Sequence, residues 1–374
     1  MLDDIVIECA TVEQFASMKD EWTQLLDRYD DATLFNTWEW QYTWWETWGN
    51  DLGGELYLIL ARNKSGELMG VAPMYRYKYH ALKGMLNYYK VQLIGSSASL
   101  EETVRSEYLD FIYVSNNPLV VQSLWAYIYS DTNWSKVLLP DIRTSSVLFA
   151  NLTNKDFMDQ CYVRATLKDV GVRVDTTCSF ELYKKGLGRN TRLDSFNRRK
   201  RLENSGEVLI LCGSKLRNKN SLSVLNAFHD ERWGKYCFDK QAKLFHQKIV
   251  SLDAIVSGVE FCEILLDDEP VSIIYNIDYK GVRYNIQLGF TMLDDKKLSM
   301  GSLQLGYAIE DAFNTKGINY FDFLAGAGKN SFYKQRFKGN SYRLYTLEVI
   351  RSPVLRFIYR LYDMYKNFVG KRVL

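Results

Sequence analysis

A mixed α/β fold built in two consecutive halves is predicted by three features of this sequence. Apolar segments of period two, the mark of half-buried strands, alternate along the chain with segments of helical period. The first half runs helix–helix–hairpin–strand–helix–strand, and the second contains an antiparallel meander followed by a strand–loop–helix–strand unit. With 374 residues, 47% of them hydrophobic, the chain has material for two medium-sized cores. The expected division is 1–174 and 175–374.

In the first half, Ile5–Cys9 reads as a strand and Val12–Leu26 has apolar residues at helical spacing. Thr37–Trp48 carries Trp38, Trp40, Tyr42, Trp44, Trp45 and Trp48 and reads as a second helix. Such an aromatic row is ordinarily core; its functional alternative is stacking on a sugar ring. Leu56–Arg62 and Leu68–Tyr79 are strands joined by the turn Asn63-Lys64-Ser65-Gly66. Strands at Tyr88–Ile94, Tyr108–Val114 and Lys136–Leu139 and a helix over Leu119–Tyr129 complete the half. Ser145–Val174 is mixed and has no clear period.

In the second half, Gly188–Asn204 reads as a basic amphipathic helix with Arg189, Arg192, Arg198, Arg199, Lys200 and Arg201. A strand at Val208–Leu211 precedes two helices, Leu222–Trp233 with His229, Arg232 and Trp233, and Ala242–Leu252 with Phe245 and His246. Val259–Leu266, Val271–Asp278 and Arg283–Gly289 form the meander. After the polar loop Asp294–Gly301, residues Leu303, Leu305, Ala308, Ile309, Ala312 and Phe313 give Ser302–Asn314 one apolar helical face. Gly317 ends that helix, and Tyr320–Leu324 is a short buried strand. Val354–Leu374 is a basic stretch interleaved with aromatic residues. The expectation is a final helix packed on the second domain, with peripheral membrane contact as the alternative.

Composition narrows the function. A net charge of +2 argues against bulk attraction to nucleic acid. Six scattered cysteines with no Cys-x-x-Cys pair read as reduced thiols in a cytoplasmic protein, with neither a disulfide frame nor a metal site. The acidic start Met1-Leu2-Asp3-Asp4 lacks a signal-peptide hydrophobic region, and no apolar run reaches bilayer length.

The chemistry concentrates after Leu288. A strand that feeds a Ser/Gly loop into a helix N-terminus presents free backbone N–H groups and a positive dipole end, which suits a pyrophosphate; the alternative is an ordinary strand–turn–helix. Lys296 and Lys297 add cations beside it. His229 and Arg232, three apart, share a helix face, and His229 is the best-placed base at neutral pH, ahead of His246. Asp322, in an otherwise apolar strand, is a base, an orienting partner of Lys334, or one half of an ion pair.

These motifs resemble the acyl-CoA-binding core of the GNAT acetyltransferase superfamily. Lys296, Ser299 and Gly301 fall on that family's pyrophosphate loop, with Lys in place of Gln/Arg and Ser in place of the first Gly. Ser299–Leu303, Gly317–Gly326 and Tyr333–Phe337 resemble the pattern of the CelD-like branch, associated with cellulose and exopolysaccharide biosynthesis. His229…Arg232-Trp233 and the tryptophans of Thr37–Trp48 are similar to further marks of that branch. The branch is itself similar to the Fem-type transferases, with tandem GNAT-like domains.

The resemblance implies a degenerate first domain and a second that binds acetyl-CoA or another acyl-CoA, without a metal. Lys296, Lys297, Ser299, Met300, Gly301 and Ser302 would hold the phosphates, and the strand at Gln287 and Leu288 would face the thioester. His229 or Asp322 would act as base, Lys334 would offset oxyanion charge, and Tyr333, with Tyr345 as an alternative, would reprotonate the thiolate. Arg192, Arg198, Arg199, Arg232 and Trp233 would bind a small-molecule acceptor, namely a nucleotide- or lipid-linked amino sugar. The implied activity is N-acylation of such a precursor by direct attack. The rivals are Fem-like aminoacyl transfer from charged tRNA and a catalytically dead assembly scaffold.

Overall fold

The computed structural model describes residues 5–81, 84, 86–97, 103–154, 161–213, 220–252, 255, 258–326 and 333–368. Phe332 of the terminal motif, the acidic start at 1–4, and Lys371 and Arg372 lie outside them. In chain order the elements begin with β1 (Ile5–Ala10), α1 (Val12–Ser17), α2 (Lys19–Asp27), α3 (Trp38–Trp48), β2 (Glu55–Asn63), β3 (Leu68–Ala81) and β4 (Leu86–Leu93). Then come β5 (Ile112–Tyr113), α4 (Leu119–Ser130), β6 (Lys136–Arg143), α5 (Val147–Leu152), β7 (Tyr162–Asp175), α6 (Phe180–Gly186), α7 (Arg189–Arg192) and α8 (Arg199–Glu203). The remainder are β8 (Val208–Cys212), α9 (Ser221–Trp233), α10 (Lys240–Ser251), β9 (Val259–Leu266), β10 (Glu269–Tyr279) and β11 (Val282–Phe290). The chain closes with α11 (Met300–Asn314), β12 (Tyr320–Ala325), β13 (Asn340–Ile350) and α12 (Pro353–Phe368). This is a mixed α/β fold, as the alternating periods predict.

Backbone packing divides the chain into unit 1, Met1–Asp169 with Arg343–Leu374, and unit 2, Val170–Tyr342. The expected division at 174/175 differs at the C-terminus, where Arg343–Leu374 was assigned to the second half. Two interactions place it in unit 1. Leu344–Ile350 of β13 pairs antiparallel with β6. The only acid of α12, Asp363, accepts from Arg164 Nε and Nη2 at 2.7 and 2.6 Å and from the Tyr162 hydroxyl at 2.6 Å. The expectation that the final helix packs on the second domain is therefore corrected.

In unit 1, strands β1-β2-β3-β4-β6-β13 lie side by side, with β5 on β3; only β4 and β6 are parallel neighbours. The tryptophan row is core. Thr37 caps α3, and Trp40, Trp44 and Trp48 are buried. The indole N–H groups of Trp40 and Trp44 donate to Ser106 Oγ and the Val104 carbonyl at 2.8 and 3.0 Å. Val12–Leu26 forms two helices: α1, opened by a Thr11/Gln14 capping box, ends at Met18 before α2 begins.

Unit 2 orders its strands β7-β12-β11-β10-β9-β8, with β11 and β12 parallel. Helix α11 packs its apolar face on a core of Val172, Val174, Ile274, Leu305, Ile309 and Phe321. The basic segment is not one helix: α7 and α8 are joined by a π-helical turn, Leu193–Asn197, that lies against α11. The approach is so close that a Cβ on Gly306 would sit 2.0 Å from the Ser195 carbonyl oxygen. Cys212 and Cys262 are directly opposite in the antiparallel β8–β9 register and form a disulfide, which corrects the expectation of six free thiols. Their separation of 50 residues conceals the pairing in the sequence.

Candidate functional site

Strands β11 and β12 pair only through Val282–Tyr284 and Tyr320–Asp322, after which β11 runs on to Phe290. Just past the paired stretch, a register shift opposite Tyr275 and Asn276 bulges β11 before Gln287. The strand becomes partly exposed at Ile286, Gln287 and Leu288. Both main-chain groups of Leu288 bond to side chains. Its N–H donates to Gln287 Oε1 at 3.0 Å, and its carbonyl accepts from His229 Nε2 at 3.1 Å.

His229 sits on α9, which packs along β11. Burial pushes its pKa down; the charges of Arg232 and Lys235 act in the same direction, and the bond to Leu288 opposes them. Trp233 lies 4.6 Å from the imidazole, centroid to centroid. Arg232 places its guanidinium 4.3 Å from the Phe290 ring and 4.6 Å from that of Trp233. Phe290 packs in turn on Gly301, where a Cβ would meet its ring at 2.5 Å. The end of β11, the last turns of α9 and the first turn of α11 thus form one continuous surface of contacts. Phe290, which links them, had no signal in the sequence beyond being apolar.

At α11 the N-cap is Ser299, whose side chain makes no capping bond to the backbone; its hydroxyl donates to Ser302 Oγ at 2.9 Å. Met300, Gly301 and Ser302 are buried, whereas Lys296 and Lys297 are exposed on the loop before them. Arg336, a position not singled out for binding from the sequence, donates from Nη2 to Ser302 Oγ at 2.7 Å. A cation therefore stands at a helix N-terminus that no side chain caps, an arrangement favourable to a phosphate.

Other expected residues are engaged within the protein. Asp322 is fully buried; its Oδ2 accepts from Arg173 Nε and Nη2 at 3.0 and 2.9 Å. Its Oδ1 accepts from the Tyr342 hydroxyl at 3.0 Å and the Leu324 N–H at 2.8 Å. These bonds give it the ion-pair role among the three considered and leave no oxygen poised as a base. Buried Lys334 donates to the carbonyls of Phe323 and Leu324, both at 2.9 Å. It clamps the end of β12, where Leu324 adopts φ +57, a conformation costing a non-glycine residue on the order of 1 kcal/mol.

Arg192 is bonded to the carbonyls of Lys185 and Leu187, Arg198 to Asp194, and Arg199 to Glu310 while stacked 3.8 Å over Tyr307. The basic segment thus braces α7, α8 and α11 rather than presenting these guanidinium groups to an acceptor. Tyr333 and Leu288 pack on the same core cluster, and burial pushes the Tyr333 hydroxyl up, with Arg336 opposing. His246 is a core residue, buried among Phe238, Phe245 and Tyr275. Among the described residues, no group of three or more His, Cys, Asp or Glu is placed to hold a metal ion.

Residues 189–338 match the model of the acetyltransferase (GNAT) domain family. The chain thus carries a GNAT acyltransferase domain, which contains the whole arrangement around Leu288. Among solved structures it is similar to FemX at 10% identity and a TM-score of 0.60, over 94% of this chain and 99% of that one. A conserved protein of unknown function from Bacteroides thetaiotaomicron gives 8% and 0.53, over 92% and 99%. L-PGS from Bacillus licheniformis gives 12% and 0.51, over 94% and 97%. Likeness at these identities shows the fold alone. No curated protein matches the chain.

Proposed function

We propose that unit 2 transfers an acyl group from an acyl-CoA, acetyl-CoA in the first instance, to an amine. The observation that carries this reading is the parting of β11 from β12 with the Leu288 peptide at the gap and His229 fixed on its carbonyl. The uncapped first turn of α11, with Ser302 and Arg336 beside it, fits the coenzyme's phosphates, and exposed Lys296 and Lys297 lie on the approach. The coenzyme, when bound, supplies the activated acyl group.

The chain's own residues then have distinct tasks. His229 donates through Nε2 to a carbonyl, so its neutral form carries the lone pair on Nδ1, the atom that takes the proton from the amine. The Leu288 N–H, once the Gln287 amide turns aside, is a donor for developing negative charge. Tyr333, kept protonated by burial, is the acid that returns a proton to the leaving sulfur. The acceptor we propose is an amino sugar or related precursor of surface polysaccharide, on the strength of the resemblance to the CelD-like branch.

Calorimetry with acetyl-CoA on the whole chain and its Ser299→Glu variant tests the donor site. The added carboxylate should abolish binding while the melting temperature is kept. Undiminished affinity in the variant, or binding of charged tRNA with none of acyl-CoA, would overturn the reading. A thermal-shift screen over longer acyl-CoAs and amino-sugar nucleotides addresses chain length and acceptor.

A further inference from the structure

Helix α12 is oriented inside out. Val354, Phe357, Leu361, Met364, Tyr365 and Phe368 recur at spacings of three and four residues and so form one apolar stripe along the helix. A surface helix of a globular domain turns such a stripe inward, yet here every member is exposed, Phe357 at 66% and Phe368 at 91%. Leu355 is buried near the start of the helix, and beyond it the side that faces the protein is polar. Asp363 is buried against Arg164 and Tyr162, and Lys136 donates to the Tyr359 hydroxyl at 2.7 Å. Those bonds hold the helix to unit 1 by its charged edge and leave the greasy edge outward.

Charge identifies the occupant. Between Pro353 and Phe368 the helix carries Arg356, Arg360 and Lys366 against a single acid, and that acid is paired internally with Arg164. At helical spacing Arg360, with Arg356 beyond it, borders one edge of the stripe, whereas Lys366 falls on the opposite side with Tyr359 and Asp363. An apolar stripe edged on one side by Arg360 and Arg356, with no unneutralised acid on its helix, is complementary to an anionic lipid surface. At 16 residues it extends roughly 24 Å. No helix among the described residues is long and apolar enough to cross a membrane. We infer that α12 docks unit 1 on a membrane, lying in the headgroup layer of a bilayer that carries anionic phospholipid. This assignment stands independently of the acyl-transfer reading.

Flotation of the whole chain with vesicles tests it, using phosphatidylcholine alone and phosphatidylcholine with about one third phosphatidylglycerol. Binding is expected to the anionic vesicles, weakened by salt, and at least about tenfold poorer to the neutral ones. The double variant Phe357→Glu, Phe368→Glu should lower the bound fraction about tenfold with an unchanged melting temperature, since both side chains are exposed. Arg360→Glu should weaken only the anionic arm. Failure to bind either vesicle would overturn the inference. So would sedimentation showing a concentration-dependent dimer that the double variant abolishes, which would give the stripe to a second copy of the chain.

Discussion

His229 Nε2 donates to the main-chain carbonyl of Leu288 across 3.1 Å, tying α9 to β11 at the point where β11 has left β12. A carbonyl oxygen only accepts, so this contact selects the tautomer with hydrogen on Nε2. The same residue is partly desolvated and lies near two cations, and these effects favour the neutral ring.

The imidazole of His229 should titrate below the ordinary histidine value of about 6.5. Heteronuclear NMR of the ring checks this directly. In an acyl-transfer assay the acidic limb of kcat/KM should lie below the same value, and His229→Gln should remove that limb and lower kcat about 100-fold. Titration at or above the ordinary value would exclude a desolvated base here.

Arg336→Gln should weaken acetyl-CoA binding about tenfold, because it removes the guanidinium at Ser302 and the start of α11. Calorimetry reads the change. Lys184→Gln, which removes a cation beside Glu181 on α6, should leave donor affinity within about twofold. Equal losses in the two variants would mean that general positive charge, rather than the α11 terminus, draws the donor.

Asp322→Ala should cost about 3 kcal/mol in urea unfolding, since it strands Arg173 and frees the Leu324 N–H and the Tyr342 hydroxyl. A variant of native stability that had lost only turnover would restore Asp322 as a catalytic base.

His246 is held neutral by complete burial, its pKa pushed down to about 3. The unfolded ring takes up a proton near pH 6.5, so this contribution to stability is intact above that value. It is lost as the pH falls toward about 3, at about 1.4 kcal/mol per unit. His246→Leu should flatten the dependence of the urea midpoint on pH between about 6.5 and 4.5. An identical slope in both proteins would show that the ring is protonated in the native state.

Periodicity located most of the scaffold because burial on one face imposes it. The meander Val259–Leu266, Glu269–Tyr279, Val282–Phe290 lies within about two residues of its expected bounds. Three features escaped. β13 was absent from the sequence reading, since Asn340–Ile350 mixes polar and apolar residues on a strand paired with a partner 200 residues earlier. The basic helix looked continuous because its charge pattern carries no trace of the π turn, which is set by contact with Gly306. Residue types pointed to His229 and the start of α11, the family resemblance pointed to Leu288, and the structure gathers them around Phe290. Residue type alone could not distinguish Arg336, which reaches that helix terminus, from Arg192, Arg198 and Arg199, which brace the fold.

Unit 1 is assembled from both ends of the chain, with Val170–Tyr342 inserted between its parts. A ribosome therefore makes every residue of the inserted unit before it makes Leu344–Ile350, the partner of β6. Until then β6 is paired with β4 alone and keeps a bare edge, the kind of edge on which nascent chains stick together. Vectorial synthesis thus gives the acyltransferase unit a head start and makes the segment after Tyr342 the latch of the other, so a premature stop after Tyr342 would spare the former and ruin the latter.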